Sequence, residues 1–298
     1  MSIDQIRSHF GFTKMPFTKE ISPSDLHCHT GHLEAVARIN FLVDESAIGV
    51  ITGEVGSGKT VAVRKAMSQL EPSSHSVIYL ANPVLGTKGI YSEIVSHLGE
   101  RPCYYKAQLI SQAISLLSTE MSEKGRKAIV ICDEAHLLEG SQLEELRFLT
   151  NTDMDSSSSF ALLLVGQPNL KTRLRLGTFS ALDQRISLRY TVPPMTKQET
   201  RSYTVHHLKL AGRTDALFSD EAIGLIHQVS RGLPRSVNNL ARQALVAAFA
   251  NKSAIVDEKA TRQAISEADS RTPDMGDKVQ EMPGRSLTEN RIGRLVSG

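Results

Sequence analysis

Residues 49–63 read GVITGEVGSGKTVAV, and this stretch decides the fold. An apolar run that turns through glycines and passes directly into KTVAVRKAMSQL (59–70) has the order strand, phosphate-binding loop, helix. Gly53 to Thr60 fit the spacing G-x-x-x-x-G-K-[ST]. In such a loop the backbone N–H groups of Glu54, Val55, Gly56, Ser57, Gly58 and Lys59 wrap phosphate oxygens. The Lys59 ammonium reaches the β and γ phosphates, and the Thr60 hydroxyl binds Mg²⁺. The expected ligand is therefore ATP with Mg²⁺.

Outward from this loop, five short apolar runs alternate with amphipathic stretches: AIGVIT, SVIYLA, KAIVIC, FALLLVG and ISLRYTV. Runs this apolar, each flanked by Gly, Pro or polar residues, predict a parallel sheet covered by helices, its central strands buried on both faces. Two successive prolines, Pro193 and Pro194, end the pattern. Three helical stretches follow: TKQETRSYTVHHLKLAG, SDEAIGLIHQVSRG and PRSVNNLARQALVAAFANK. Ser219 and Asp220 stand as N-terminal caps, Gly212 and Gly232 as C-terminal stops, and Pro234 in a first helical turn. The predicted organisation is an N-terminal helical segment over 1–46, a P-loop domain over 47–194, a small helical domain over 195–269 and a flexible tail over 270–298. NRIGRLVSG in that tail is a candidate partner-binding peptide.

Composition narrows the class. With 298 residues, 40% of them hydrophobic, the chain can bury a sizeable core. A net charge of +2 excludes a dedicated basic DNA binder, so any DNA site is a local patch. Cys28, Cys103 and Cys132 form neither a disulfide framework nor a CxxC zinc pair, which suits a reducing compartment. No apolar run is long enough to span a membrane, and MSIDQIRSHF lacks the apolar core of a signal peptide, so the expected location is cytoplasmic. LHCHTGH (26–32) gathers three histidines and a cysteine, but ligation would need a very tight loop and no second ligand cluster accompanies it. Packing is the favoured role.

KAIVICDEAHLL carries the second half of the chemistry. Asp133, at the end of an apolar run, can hold the hydration shell of Mg²⁺, and Glu134 can polarise a water for attack on the γ phosphate. Behind a P-loop this pair indicates a hydrolase. Gln167 ends FALLLVGQ, either as a γ-phosphate sensor or as a turn residue before Pro168. Asn82 either holds Glu134 inactive until a ligand binds or forms an Asx turn before Pro83. Arg235, in the first turn of a helix of the second domain, can close over the nucleotide, and Arg185, at the far end of the sheet domain, can reach a neighbouring subunit's nucleotide. An arginine donated in this way contributes about 10³ to 10⁵ in rate; surface salt bridging is the alternative for each.

With GEVGSGKT, VICDEAH, LLLVGQPNL, LDQRI and GLPRSVNNLARQALVAAF, residues 1–268 resemble the AAA+ ATPase superfamily. FGFTKMPF and HLEAVARINFLV are similar to its ExeA-like branch, which includes the helper ATPase of type II secretion and transposon ATPase subunits of the TniB and TnsC kind. The resemblance implies an α/β fold, a three-layer αβα sandwich with strand order 5-1-4-3-2 and a helical lid. It implies rings or helical filaments with ATP at subunit boundaries, Arg235 as sensor 2, Arg185 as the arginine finger and His32 close to the nucleotide base. Gln167 departs from the Asn or Thr usual at sensor 1.

A secretion helper is expected to carry a membrane span and a wall-binding domain after its ATPase, whereas this sequence stops soon after the lid, which favours transposition. In that reading ATP-bound subunits assemble on duplex DNA without reading its sequence, and recruit a transposase. Candidate phosphate contacts are Lys88, Lys106, Arg126, Lys127, Arg147, Lys171, Arg173 and Arg175, densest in KTRLR (171–175); a solvated helix face is the alternative. A secretion-associated ATPase and an ATP-switched signalling or loader protein are the competing functions.

Overall fold

All five apolar runs form strands of one parallel sheet: β1 (Ile48–Thr52), β2 (His75–Leu80), β3 (Lys127–Cys132), β4 (Phe160–Gly166) and β5 (Ile186–Thr191). The computed structural model describes residues 1–18, 21–81, 86–150 and 158–269. Strand order is β2-β3-β4-β1-β5, the expected order read from the other edge. Every residue of β1 and β4 is buried, as is β3 after its first residue, whereas edge strands β2 and β5 are only partly covered. The apolar runs thus identify the central strands directly.

The two-residue period of the strands divides the core into two layers. Ile51, Ile129, Ile131, Leu163 and Val165 face α2 (Thr30–Asp44) and α3 (Lys59–Met67), which contribute Ala35, Ile39, Leu42, Ala62 and Ala66. Val50, Ile78, Val130, Leu162 and Leu164 face the opposite layer. That layer is built from α4 (Gly86–His97), α5 (Lys106–Ser122), α6 (Gly140–Leu149), α7 (Pro168–Leu174) and α8 (Ser180–Arg185). The result is a three-layer αβα sandwich whose strands all end on one side, where α/β sheets bind ligands.

A second core belongs to α9 (Lys197–Leu210), α10 (Asp220–Ser230), α11 (Pro234–Ala250) and α12 (Glu258–Asp269). Ser219 caps α10 by accepting from the Ala222 N–H, Gly212 and Gly232 adopt left-handed backbone after α9 and α10, and Pro234 opens α11. Sequence reasoning found three of these helices and missed α12, whose surface is mostly polar and which buries little beyond Ala260, Thr261 and Ala264. The N-terminal segment is shared between the two cores. Its first helix, α1 (Ile3–Phe10), and the following Phe12 and Phe17 pack into the helical core, while α2 packs on the sheet. The tail from residue 270, including NRIGRLVSG, and Asn82 lie outside the described residues.

Candidate nucleotide site

Between the carboxyl ends of the strands and α11 lies a cavity of about 430 Å³, lined by Val55, Gly56 and Gly58 to Val61 of the P-loop and α3, by His32, Glu134 and Gln167, and by Arg235 and Arg242 from α11. The P-loop closes because two glycines adopt conformations closed to other residues. Gly56 (φ +83°) and Gly58 (φ +89°) are left-handed, and both are crowded. A Cβ on Gly56 would stand 2.8 Å from Arg235 Cβ, and one on Gly58 would stand 2.3 Å from His32 Nε2. The Lys59 ammonium donates to the carbonyls of Gly53 and Glu54, at 2.9 and 3.1 Å, and is almost buried. Burial pulls its pKa below the ordinary lysine value, while Glu134 and Asp133 oppose that pull. Ser57 Oγ is buried without a hydrogen-bond partner among the described residues. Such a cradle, with an unanswered hydroxyl and a cation folded back on its own loop, fits a polyphosphate.

Thr60 and Asp133 meet as a metal site requires. The Thr60 hydroxyl donates to Asp133 Oδ2 at 3.0 Å, bringing the end of β3 to the start of α3. The Glu134 N–H donates to Asp133 Oδ1 at 2.8 Å. A third donor was not found by sequence reasoning: the Tyr79 hydroxyl of β2 donates to Asp133 Oδ2 at 2.6 Å. Burial, then the bond to Asp133, raises the Tyr79 pKa, so the hydroxyl keeps its proton. Hydroxyl and carboxylate oxygens suit Mg²⁺, and Thr60 and Asp133 would hold it, supplying charge neutralisation at the phosphates. Glu134 is half-exposed in the cavity wall, 3.4 Å from His136 Nδ1, with left-handed backbone at φ 50°. A non-glycine residue in that region is strained, and such strain gathers at functional sites.

The helical domain closes the site from above. The Arg235 N–H donates to the Gly56 carbonyl at 3.2 Å, so the first turn of α11 rests on the P-loop. His32 Nε2 is 2.9 Å from the Ser57 carbonyl, which braces the loop from beneath. His29 caps α2 through the Gly31 N–H at 3.1 Å and lies ring to ring with His32 at 3.9 Å. Burial, then the neighbouring His32, lowers the His29 pKa to about 4. Glu199 joins the domains: it completes the capping box of α9 and accepts from the Thr30 N–H of α2 at 3.0 Å. Burial opposes its charge, but hydrogen bonds from Thr196 and Thr30 hold its pKa down to about 2. Within LHCHTGH, His29 and His32 thus tie the start of α2 to the P-loop; among the described residues no group of three or more His, Cys, Asp or Glu is placed to hold a metal ion.

Gln167, at the end of β4, lines the cavity beside Glu134. Arg185 lies at the other end of the sheet, at the last residue of α8 before β5, where its guanidinium donates to the Arg147 carbonyl and Thr150 hydroxyl at 3.5 Å. Most of the candidate DNA contacts have partners within the protein. Lys106 pairs with Glu145 at 2.5 Å, Arg147 with Glu144 at 2.8 Å and Arg126 with Glu120 at 2.7 Å; Lys88 lies over the Tyr104 ring and Lys127 donates to the Asp44 carbonyl. Arg173 donates to the His136 carbonyl, and Lys171 and Arg175 of the KTRLR stretch are exposed.

Residues 43–174 match the family model described as an AAA domain. General secretion pathway protein A of Aeromonas hydrophila is 34% identical over 249 residues, covering 82% of this chain and 45% of that protein; the chain thus spans less than half the length of this relative. The structure of Cdc6p from Pyrobaculum aerophilum aligns with a TM-score of 0.66 at 16% identity, covering 84% of this chain and 70% of that one. Aeropyrum pernix ORC2, in its ADPNP-ADP complexes, aligns at 0.64 with 21% identity, covering 84% and 71%. Aeropyrum pernix ORC1 in complex with DNA aligns at 0.61 with 16% identity, covering 84% and 68%. Likenesses at these identities show the fold. The AAA-domain match over residues 43–174 adds the activity that goes with this fold, an ATPase that uses ATP with Mg²⁺.

Proposed function

We propose that this ExeA-like AAA+ ATPase is an assembly switch, which oligomerises on duplex DNA when ATP is bound and regulates transposition by marking a target and recruiting a transposase. The observation that carries the switch is the contact of the α11 first turn with the P-loop, Arg235 N–H to Gly56 carbonyl, because it joins the lid to the loop that a ligand would fill. Lys59 would turn from the Gly53 and Glu54 carbonyls to the phosphates, and Glu134 would take a proton from the attacking water. Arg185, at the sheet end away from its own P-loop, would serve a neighbour's site. A finger supplied in trans makes hydrolysis conditional on assembly.

DNA as the assembly surface draws support from Aeropyrum pernix ORC1 in complex with DNA and from Drosophila ORC bound to DNA, which share the fold, and from the exposed Lys171 and Arg175. Contacts of this kind go to phosphates, so log K falls by about 0.9 per contact per unit log salt. The cytoplasm is the matching compartment; among the described residues no helix is long and apolar enough to cross a membrane. The 34% identity to general secretion pathway protein A favours a second reading, an ATPase acting on envelope proteins of a secretion system. Sedimentation and negative-stain imaging with duplex DNA, with and without a non-hydrolysable ATP analogue, separate the two. ATP-dependent rings or filaments on DNA support the first reading. No DNA association at low salt overturns it in favour of a protein-directed ATPase.

A further inference from the structure

Tyr79 is a half-exposed residue of an edge strand, in register with Ile131 of β3, and its hydroxyl could be answered by water at no cost. Instead it reaches along the sheet to the end of β3 and donates to Asp133 Oδ2 at 2.6 Å. The same oxygen accepts from Thr60 at 3.0 Å, and Oδ1 accepts from the Glu134 N–H at 2.8 Å. Of these three donors, the Glu134 N–H lies in the same turn as the carboxylate and moves with it. Thr60 can give a lone pair to the ion while its proton stays on Asp133, so its hold on the carboxylate shifts with the ion it binds. Tyr79 is anchored on a different strand and has no other task at the site.

We infer that Tyr79 is a positioning residue for the magnesium carboxylate: it holds Asp133 in the orientation that receives the hydrated ion and so sets how strongly Mg²⁺ couples to nucleotide binding. The inference rests on reading Thr60 and Asp133 as the metal site. Groups behind a metal ligand commonly set metal affinity by tenfold or more, because they fix the orientation and basicity of the ligand they touch. Tyr79→Phe removes the hydroxyl and keeps the ring.

A matched control exists in the same domain. Tyr91 of α4 donates to Glu145 Oε2 at 2.6 Å, a hydroxyl-to-carboxylate bond of the same length that touches no part of the nucleotide cavity. Binding of a fluorescent ATP derivative to the full chain, titrated with Mg²⁺, reads the coupling without relying on turnover. Tyr79→Phe should raise the half-saturating Mg²⁺ by about tenfold, with nucleotide affinity in EDTA unchanged, while Tyr91→Phe matches wild type in both. A Tyr79→Phe titration that superimposes on wild type overturns the inference, as does an equal shift in Tyr91→Phe. A wild-type protein whose nucleotide binding ignores Mg²⁺ would overturn the metal-site reading itself.

Discussion

The two ends of the sheet are built differently. At the carboxyl end, Lys59, Thr60, Asp133, Glu134 and Gln167 arrive from the ends of β3 and β4 and from the P-loop, and the lid lays Arg235 on top; hydrogen bonds of 3.0 and 3.2 Å tie the loop to Asp133 and to the lid. At the amino end, Arg185 donates to the Arg147 carbonyl and the Thr150 hydroxyl at the end of α6, and Lys127 holds a carbonyl of Asp44. One end is a site that the subunit can assemble alone. The other carries a cation whose catalytic use, in the function proposed here, belongs to a neighbour. In that proposal the contrast would separate binding from hydrolysis: a single subunit would hold ATP, and an assembly would be needed to cleave it.

The hardest test of the contrast is at the carboxyl end. Lys59→Ala removes the main cation of the phosphate cradle and should abolish nucleotide binding in a fluorescence titration; normal affinity would place the nucleotide elsewhere. Arg185→Ala should leave binding intact while hydrolysis under assembling conditions falls by about 10³ to 10⁵, and wild-type turnover would return Arg185 to a structural role. Glu134→Gln should also bind normally and lose about 10² to 10⁴ in turnover, leaving assemblies that persist by light scattering; rapid hydrolysis would remove Glu134 from the chemistry.

Gly58→Ala sharpens the comparison from the structural side. Its Cβ meets His32 and its φ of +89° is strained for alanine, at about 1–3 kcal/mol. A lowered melting temperature together with weakened ATP binding is expected, and an unchanged protein would show that His32 does not brace the loop. The histidines add a pH signature. Burial, then neighbouring histidines, lowers the pKa of His29 to about 4 and of His207 to about 3. The unfolded chain therefore takes up protons first as pH falls below about 6.5. The stability these groups provide is complete above that value and drains away towards pH 4. Melting temperatures should fall across this window, and a flat profile would contradict buried neutral imidazoles.

The sheet and the phosphate chemistry were legible because each was written in contiguous residues: the strand and loop around Lys59, and the apolar run ending in Asp133 and Glu134. What escaped depends on residues far apart in sequence. Tyr79 meets Asp133 only because β2 lies beside β3, and Glu199 meets Thr30 only because the lid docks on α2. α12 was missed because it buries small residues that give little apolar rhythm. The place of α1 was missed for another reason: Ile6, Phe10, Phe12 and Phe17 show that something is buried without showing against which core. Charged residues were the least legible, since the sequence does not show that Glu145 lies beside Lys106 or Glu144 beside Arg147.

The central claim, that one subunit binds ATP and two are needed to hydrolyse it, is tested most directly by mixing Glu134→Gln with Arg185→Ala protein and measuring ATP hydrolysis under assembling conditions. Each variant alone should be nearly inactive. In a mixed assembly, sites that pair Glu134 of one subunit with Arg185 of its neighbour are complete, so the account predicts that mixing restores a substantial part of the wild-type rate. A mixture no more active than the two variants measured separately would contradict it.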